Sequence, residues 1–195
     1  MGLPLEHAGP QATWRQVDTL KIVHVVKDLL DAIGADPCCP ELVETPARVA
    51  KFWKEFIEYD AGELERTFDA IHADQMIVLR DIRGWSLCAH HLLPFSFTAT
   101  VGYISGDCIL GLSKIARVVH KHAHKLQVQE RLARDVALEV QQLTSSKGVG
   151  VLIRGEHLCM QMRGIHSTGE MVSSVLLGEM LDVPQVRGEF LSLTR

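Results

Sequence analysis

No apolar run in these 195 residues approaches the length of a membrane span. The start, Met1-Gly2-Leu3-Pro4-Leu5-Glu6, has no basic n-region, no long apolar core and no Ser or Thr at position 6 for myristoylation. The expectation is a soluble, cytoplasmic protein without a lipid or membrane anchor. A broad basic field is also missing, since 20 Lys and Arg face 24 Asp and Glu for a net charge of −4. General nucleic-acid binding is thereby excluded, and an anionic partner has to be a small ligand met by a local cluster of cations. Cysteine is scarce. The five present are odd in number, and the adjacent pair Cys38-Cys39 cannot form an ordinary mutual disulfide, which excludes a secreted disulfide framework and fits a reducing compartment. There is no internal repeat, no low-complexity segment and no Walker-type glycine loop.

What is present concentrates in Ser86-Leu87-Cys88-Ala89-His90-His91-Leu92-Leu93-Pro94-Phe95. Cys88 and His91 have the C-x-x-H spacing with which a turn presents sulfur and nitrogen to one zinc ion. A third ligand has to come from elsewhere, and Cys159 is the best candidate. Over Glu156–Arg163 polar and apolar residues alternate, which predicts a strand with His157, Cys159, Gln161 and Arg163 on one face. Three protein ligands leave a fourth zinc position open for water, the catalytic rather than the structural arrangement. His90 and His157 remain once the ligands are assigned, and imidazoles beside a metal suit acid/base chemistry near neutral pH.

Around this centre the pattern predicts a lead-in over residues 1–12, an N-terminal helical segment over 13–70 and one α+β domain over 71–195. A helix is expected from Trp14 to Ile33, with Ile22, Val26, Leu29 and Ile33 as its apolar stripe and Gly34 ending it. A second starts with Thr45 as N-cap and Pro46 at its first position, and carries Val49, Phe52, Trp53, Phe56 and Ile57 on one side. Arg48 and Lys51 share its adjacent surface. Residues 60–74 read as an irregular connection, 75–80 as a strand continuing towards Arg83, and Phe95–Ile104 as a half-buried strand with Phe97, Ala99, Val101 and Tyr103 inward. Ser113 is expected to cap a helix that gathers Lys114, Arg117 and Lys121 on one face, where cations and a helix N-terminus suit a polyphosphate. Cys108 before it reads as packing. A helix over 128–143 carries Gln129 and Glu130 in its first turn; strands follow over 148–154, 156–163 and 170–177, and a closing helix over Pro184–Leu193. The order is that of an antiparallel four-stranded sheet with helices on one face. Its open edges are templates for pairing with further copies of the chain.

These residues bring a family into view. Thr45-Pro46-Ala47-Arg48-Val49-Ala50-Lys51, Cys88-Ala89-His90-His91, Gly111-Leu112-Ser113-Lys114-Ile115-Ala116-Arg117, Gln127-Val128-Gln129-Glu130-Arg131 and His157-Leu158-Cys159-Met160-Gln161-Met162-Arg163-Gly164 occur in the order and spacing of GTP cyclohydrolase I. The chain resembles that family from about Trp14 to Leu193. The resemblance implies the tunnelling fold, in which pentameric rings of such sheets form a barrel and two rings stack into a homodecamer with sites between subunits. It implies hydrolysis and rearrangement of GTP to 7,8-dihydroneopterin triphosphate and formate, with zinc on Cys88, His91 and Cys159. By the same resemblance His157 and His90 transfer protons, and Ser113 lies near the later ribose rearrangement. Glu130 and Gln129 hold guanine, and Arg48, Lys51, Lys114, Arg117 and Arg163 hold the triphosphate.

The chain departs from the family in places. Ala89 stands where the family usually has Glu, which removes a carboxylate from beside the metal ligands, and Phe97-Thr98 replaces a common Gly-Lys. Residues 167–175 also differ from the usual Thr/Ser-rich run. Two alternatives therefore stand beside the main reading. One is a diverged enzyme that stops at the ring-opened formyl intermediate or takes another guanine nucleotide. The other is a catalytically silent zinc-containing scaffold subunit, against which the retained His90, His157, Glu130 and cation set argue.

Overall fold

A computed structural model describes residues 16–64, 67–70, 74–106 and 108–195. The chain divides into two compact units, one ending at Glu58 and the other running from Tyr59 to Arg195. The expected lead-in and the expected helix start at Trp14 lie outside the described residues.

In the first unit, α1 (Thr19–Ala32) begins where the Asp18 carboxylate accepts the Lys21 N–H at 2.9 Å, and it ends before Gly34 turns the chain at φ +82°. Val26 and Leu30 are its buried residues, whereas Leu29 and Ile33 of the expected stripe are exposed. α2 (Thr45–Ile57) also starts one residue differently from expectation. Glu44 stands at its boundary and Thr45 is already helical, because the Thr45 N–H is taken by Leu42 O at 2.9 Å, while Glu44 O accepts the first helical bond from Arg48 at 3.0 Å. Pro46 sits in this first turn, where its missing N–H costs nothing.

The second unit is built on a five-stranded sheet. β1 (Thr67–Asp69) pairs with β4 (Cys108–Leu110) in a small separate ribbon. The main sheet runs β5-β2-β3-β6-β7, from β2 (Met76–Cys88), β3 (Pro94–Ile104), β5 (Leu126–Gln127), β6 (Gly148–His157) and β7 (Glu170–Gly178). The four long strands are antiparallel as expected, and the two-residue β5 adds parallel to the end of β2. β2 is far longer than its alternation suggests because a bulge between Leu79 and Ile82, with Asp81 at φ +58°, breaks the period of two in mid-strand.

On β3 the alternation is obeyed, with Phe95, Ala99, Val101 and Tyr103 fully buried and Phe97 nearly so. They pack beneath α3 (Leu112–Ala123) and α4 (Gln129–Thr144), which contribute Ile115, Val118, Val119, Leu132, Val136 and Val140 to one core. Each of these larger chains stabilises the fold by about 2 kcal/mol through apolar area removed from water. Ser113 is not the cap of α3. Gly111 stands at the boundary and Ser113 is inside the first turn, its helix start closed instead by Lys114 N–H donating to Gly111 O at 2.8 Å.

α3 and α4 are clasped by charge. Lys121 donates to Glu139 at 2.6 Å and Lys125 to Asp135 at 2.9 Å, with His122 between the two acids. Burial alone would raise the Glu139 carboxyl, but hydrogen bonds and charge from His122 and Lys121 outweigh it and hold it below its ordinary value. Lys121 thereby leaves the anion-binding face expected of α3.

α3 and α4 are the two helices expected on one face of the sheet, and the closing helix does not join them there. After the short α5 (Leu158–Gln161) and α6 (Glu179–Asp182), α7 (Pro184–Leu193) covers the opposite face at one end of the sheet. Gly102 and Gly150 pair across β3 and β6, and a Cβ on them would come within 2.8 Å and 2.7 Å of the Phe190 ring. The absent side chains are what admit Phe190, which is fully buried there with Met180.

Candidate metal centre and active site

Two strand ends make the centre. β2 stops at Cys88, and a tight turn follows in which Leu92, at φ +56°, donates to Cys88 O at 2.9 Å while Cys88 N–H donates to Leu93 O at 2.8 Å. The turn folds His91 back, leaving its Nδ1 3.6 Å from the Cys88 Sγ. On the other side, β6 does not continue as a strand through Arg163. Phe95 pairs with His157, and the next residue of β3 is Pro94, which has no N–H to extend the ladder. The chain turns helical instead, with Met162 donating to Leu158 O at 2.8 Å. Cys159 therefore reaches the centre from the first turn of α5, and the strand face predicted to hold His157, Cys159, Gln161 and Arg163 does not exist.

One ligand atom each from Cys88, His91 and Cys159 lies within 4.8 Å of the others, the only such group among the described residues. Tetrahedral zinc with ordinary Zn–S and Zn–N bonds sets its sulfur and nitrogen ligands about 3.6 Å apart and two sulfurs about 3.8 Å apart. The Cys88–His91 separation already has that value, and the two-sulfur, one-nitrogen donor set suits the same ion. Burial pushes the Cys159 thiol up, and the hydrogen bond and charge of Cys88 push it further. A cation between the sulfurs would reverse that preference and hold them as thiolates.

The proton-transfer candidates flank this group. His90 is exposed, edge-on to His91 with ring centroids 6.2 Å apart. His157 lies flat on Phe95, centroids 4.6 Å apart, and its Nε2 is 3.0 Å from the Gln129 Oε1. Burial lowers the His157 pKa, against a smaller upward pull from the Glu130 charge. Glu130 stands at the exposed start of α4. Gln129 beside it is turned inward and only 1% exposed.

Among the expected phosphate cations, Arg163 sets its Nη1 2.6 Å from the His91 Nε2. Lys114 donates to the Glu63 carbonyl, and the Arg117 guanidinium lies against Gly62, so both heads gather at one loop. Ser113 is exposed in the same first turn of α3. Arg48 and Lys51 belong to the first unit, each exposed and paired one turn away, with Glu44 and Glu55.

A family model described as GTP cyclohydrolase I matches residues 22–195. The chain belongs to the GTP cyclohydrolase I family. It is 42% identical over 180 residues to the GTP cyclohydrolase 1 of Alkalilimnicola ehrlichii, an alignment covering 90% of this chain and 97% of that one. With the GTP cyclohydrolase 1 of a Hydrogenobaculum species it shares 43% over 186 residues, covering 92% and 99%. With that of Aquifex aeolicus it shares 41% over 180 residues, covering 92% and 98%. No helix among the described residues is long and apolar enough to cross a membrane.

Several residues of this family member's site escaped sequence reasoning. Phe95 supports His157, Gly155 and Ser173 seat Gln129, and Pro94 ends the β6 ladder. Only Pro94 carried a signal, as a breaker directly before an alternating run. The others act through contacts between strands distant in sequence.

Proposed function

We propose that this chain converts GTP and water to 7,8-dihydroneopterin triphosphate and formate, with one zinc ion on Cys88, His91 and Cys159. The observation that carries this is the convergence of those three ligands beside His157 at the ends of β2 and β6, in a chain of this family. When bound, zinc in a three-ligand site supplies an activated water near neutral pH.

The remaining roles belong to side chains of the protein. Glu130 accepts the guanine N1–H and 2-amino protons and orients C8 of the base toward the metal centre. His157 and His90 move protons to and from the purine nitrogens as the imidazole ring opens and formate leaves. Lys114, Arg117 and Arg163 neutralise the triphosphate. Ser113 serves the rearrangement of the ribose. Two waters enter, at ring opening and at deformylation, and one leaves on closure of the pterin ring.

Incubation with GTP and zinc, followed by oxidation, should give a fluorescent pterin and one formate per GTP. Accumulation of a formylated, ring-opened nucleotide would instead establish the diverged enzyme, and recovery of intact GTP the scaffold subunit.

The sheet edges support a reading of assembly. Among the described residues no strand pairs with the outer edge of β7, and β5 pairs with β2 at Leu87 and Cys88, so both borders can accept strands of another copy. We propose that residues 71–195 form the tunnelling fold by such pairing, giving a homodecamer of two pentamers. Sedimentation should show a ring-sized particle, and a monomer turning over GTP at the full rate would overturn this.

A further inference from the structure

Gln129 opens α4 next to Glu130, yet its side chain does not face outward with it. Its Nε2 donates to Ile153 O at 3.1 Å and Met171 O at 2.9 Å, and lies 3.1 Å from the Ser173 Oγ. Two of these partners are backbone carbonyls, which only accept, so the NH2 end of the amide must face β6 and β7. The carbonyl end then faces His157, where Oε1 lies 3.0 Å from Nε2. An amide oxygen only accepts as well, so the His157 Nε2 carries a hydrogen.

A second observation shows that this seat is built. A Cβ on Gly155 would lie 2.3 Å from the Gln129 Oε1, so β6 leaves out one side chain where the amide rests. The Phe95 ring meanwhile fixes the plane of the imidazole. Among the described residues nothing hydrogen-bonds the His157 Nδ1.

We propose that Gln129 is a positioning residue rather than a guanine contact: it holds His157 as the Nε2–H tautomer and leaves Nδ1 as the nitrogen that exchanges protons with the substrate. The proposal rests on the reading of His157 as a proton-transfer residue. A histidine with two possible tautomers spends part of its time with a proton where a lone pair is needed. The buried amide removes that alternative before substrate arrives.

The test is nitrogen NMR of the zinc-loaded protein with labelled imidazoles, with His157 assigned by its loss in His157→Asn. The protonated nitrogen should couple to Cδ2 and Cε1, the neighbours of Nε2. Coupling to Cγ in the unaltered protein overturns the proposal without any further variant. In Gln129→Met the Nδ1–H form should appear, and kcat should fall about 100-fold with the KM for GTP nearly unchanged. Gly155→Ala, which displaces the amide without altering it, should reproduce both effects. Ser173→Ala should keep the tautomer, because the two carbonyls still orient the amide. A raised KM with kcat and tautomer unchanged would make Gln129 a substrate contact and sink the proposal. A shifted tautomer with unchanged kcat would overturn the proton-transfer role of His157 itself, a failure distinguishable from the first.

Discussion

Cys159→Ser is expected to empty the metal centre and lower GTP turnover by at least about 10³-fold, the loss of several kcal/mol of electrostatic and nucleophile activation. With three protein ligands, removal of one thiolate leaves two, and a serine hydroxyl does not ionise near neutral pH to replace it. Cys159 is the cleaner position for the experiment because it sits half-buried on a turn, whereas Cys88 is buried at the end of β2. Cys38 and Cys39 lie in the helical unit, and the Cys108 Sγ points to Thr144 O at 3.7 Å, so serine at these three should keep the metal. Zinc per chain and the thiolate charge-transfer band of the cobalt-substituted protein are the readouts. Loss of metal in Cys108→Ser with retention in Cys159→Ser would reject the ligand assignment.

The second large effect is expected at Glu130. A carboxylate in the first turn of a helix can do no more than complement the helix dipole, and Glu130→Gln would then cost a few tenths of a kcal/mol and leave catalysis alone. The proposed role demands more. Guanine offers two donors side by side, at N1 and the 2-amino group, and an ionised carboxylate accepts both. Adenine presents an acceptor at N1, which strands the carboxylate and disfavours the wrong base by about 10⁴-fold or more. GTP should therefore be turned over and ATP not. Glu130→Gln should lose at least about 100-fold in kcat/KM while still folding, assembling and binding zinc. Undiminished turnover of GTP by that variant, with its metal content confirmed, would remove Glu130 from the site.

Much of the site is local enough to read along the chain. Cys88 and His91 sit in one turn, and β3 and α4 bury the residues that their periods of two and 3.6 select. The readings that fail do so where a partner distant in sequence decides. The alternation of residues 157–163 is a strand pattern, but a strand needs a neighbour, and Pro94 withdraws it. Lys121 has the spacing of a phosphate ligand and is claimed by Glu139 on the next helix. Gln129 and Glu130 are adjacent and polar, and nothing in their order tells which faces the sheet. That is decided by Gly155 and by carbonyls of β6 and β7. The starts of α2 and α3 shift by one and two residues because backbone turns at Leu42 and Gly111 supply bonds at helix ends assigned to hydroxyls.

The two ligand-bearing turns leave the sheet from β2 and β6, which are not neighbours but flank β3. Backbones two strands apart stand roughly 10 Å from each other, so each turn has to lean inward over the blunt end of β3, at Pro94, for the sulfurs to meet. An ion seated there would be a reversible cross-link across the end of the sheet, closing a loop of about seventy residues that contains β3, α3, α4 and the whole of β6. Metal occupancy and the integrity of this half of the fold would then be linked equilibria. Every increment of affinity for the ion would also be an increment of resistance to the strands coming apart.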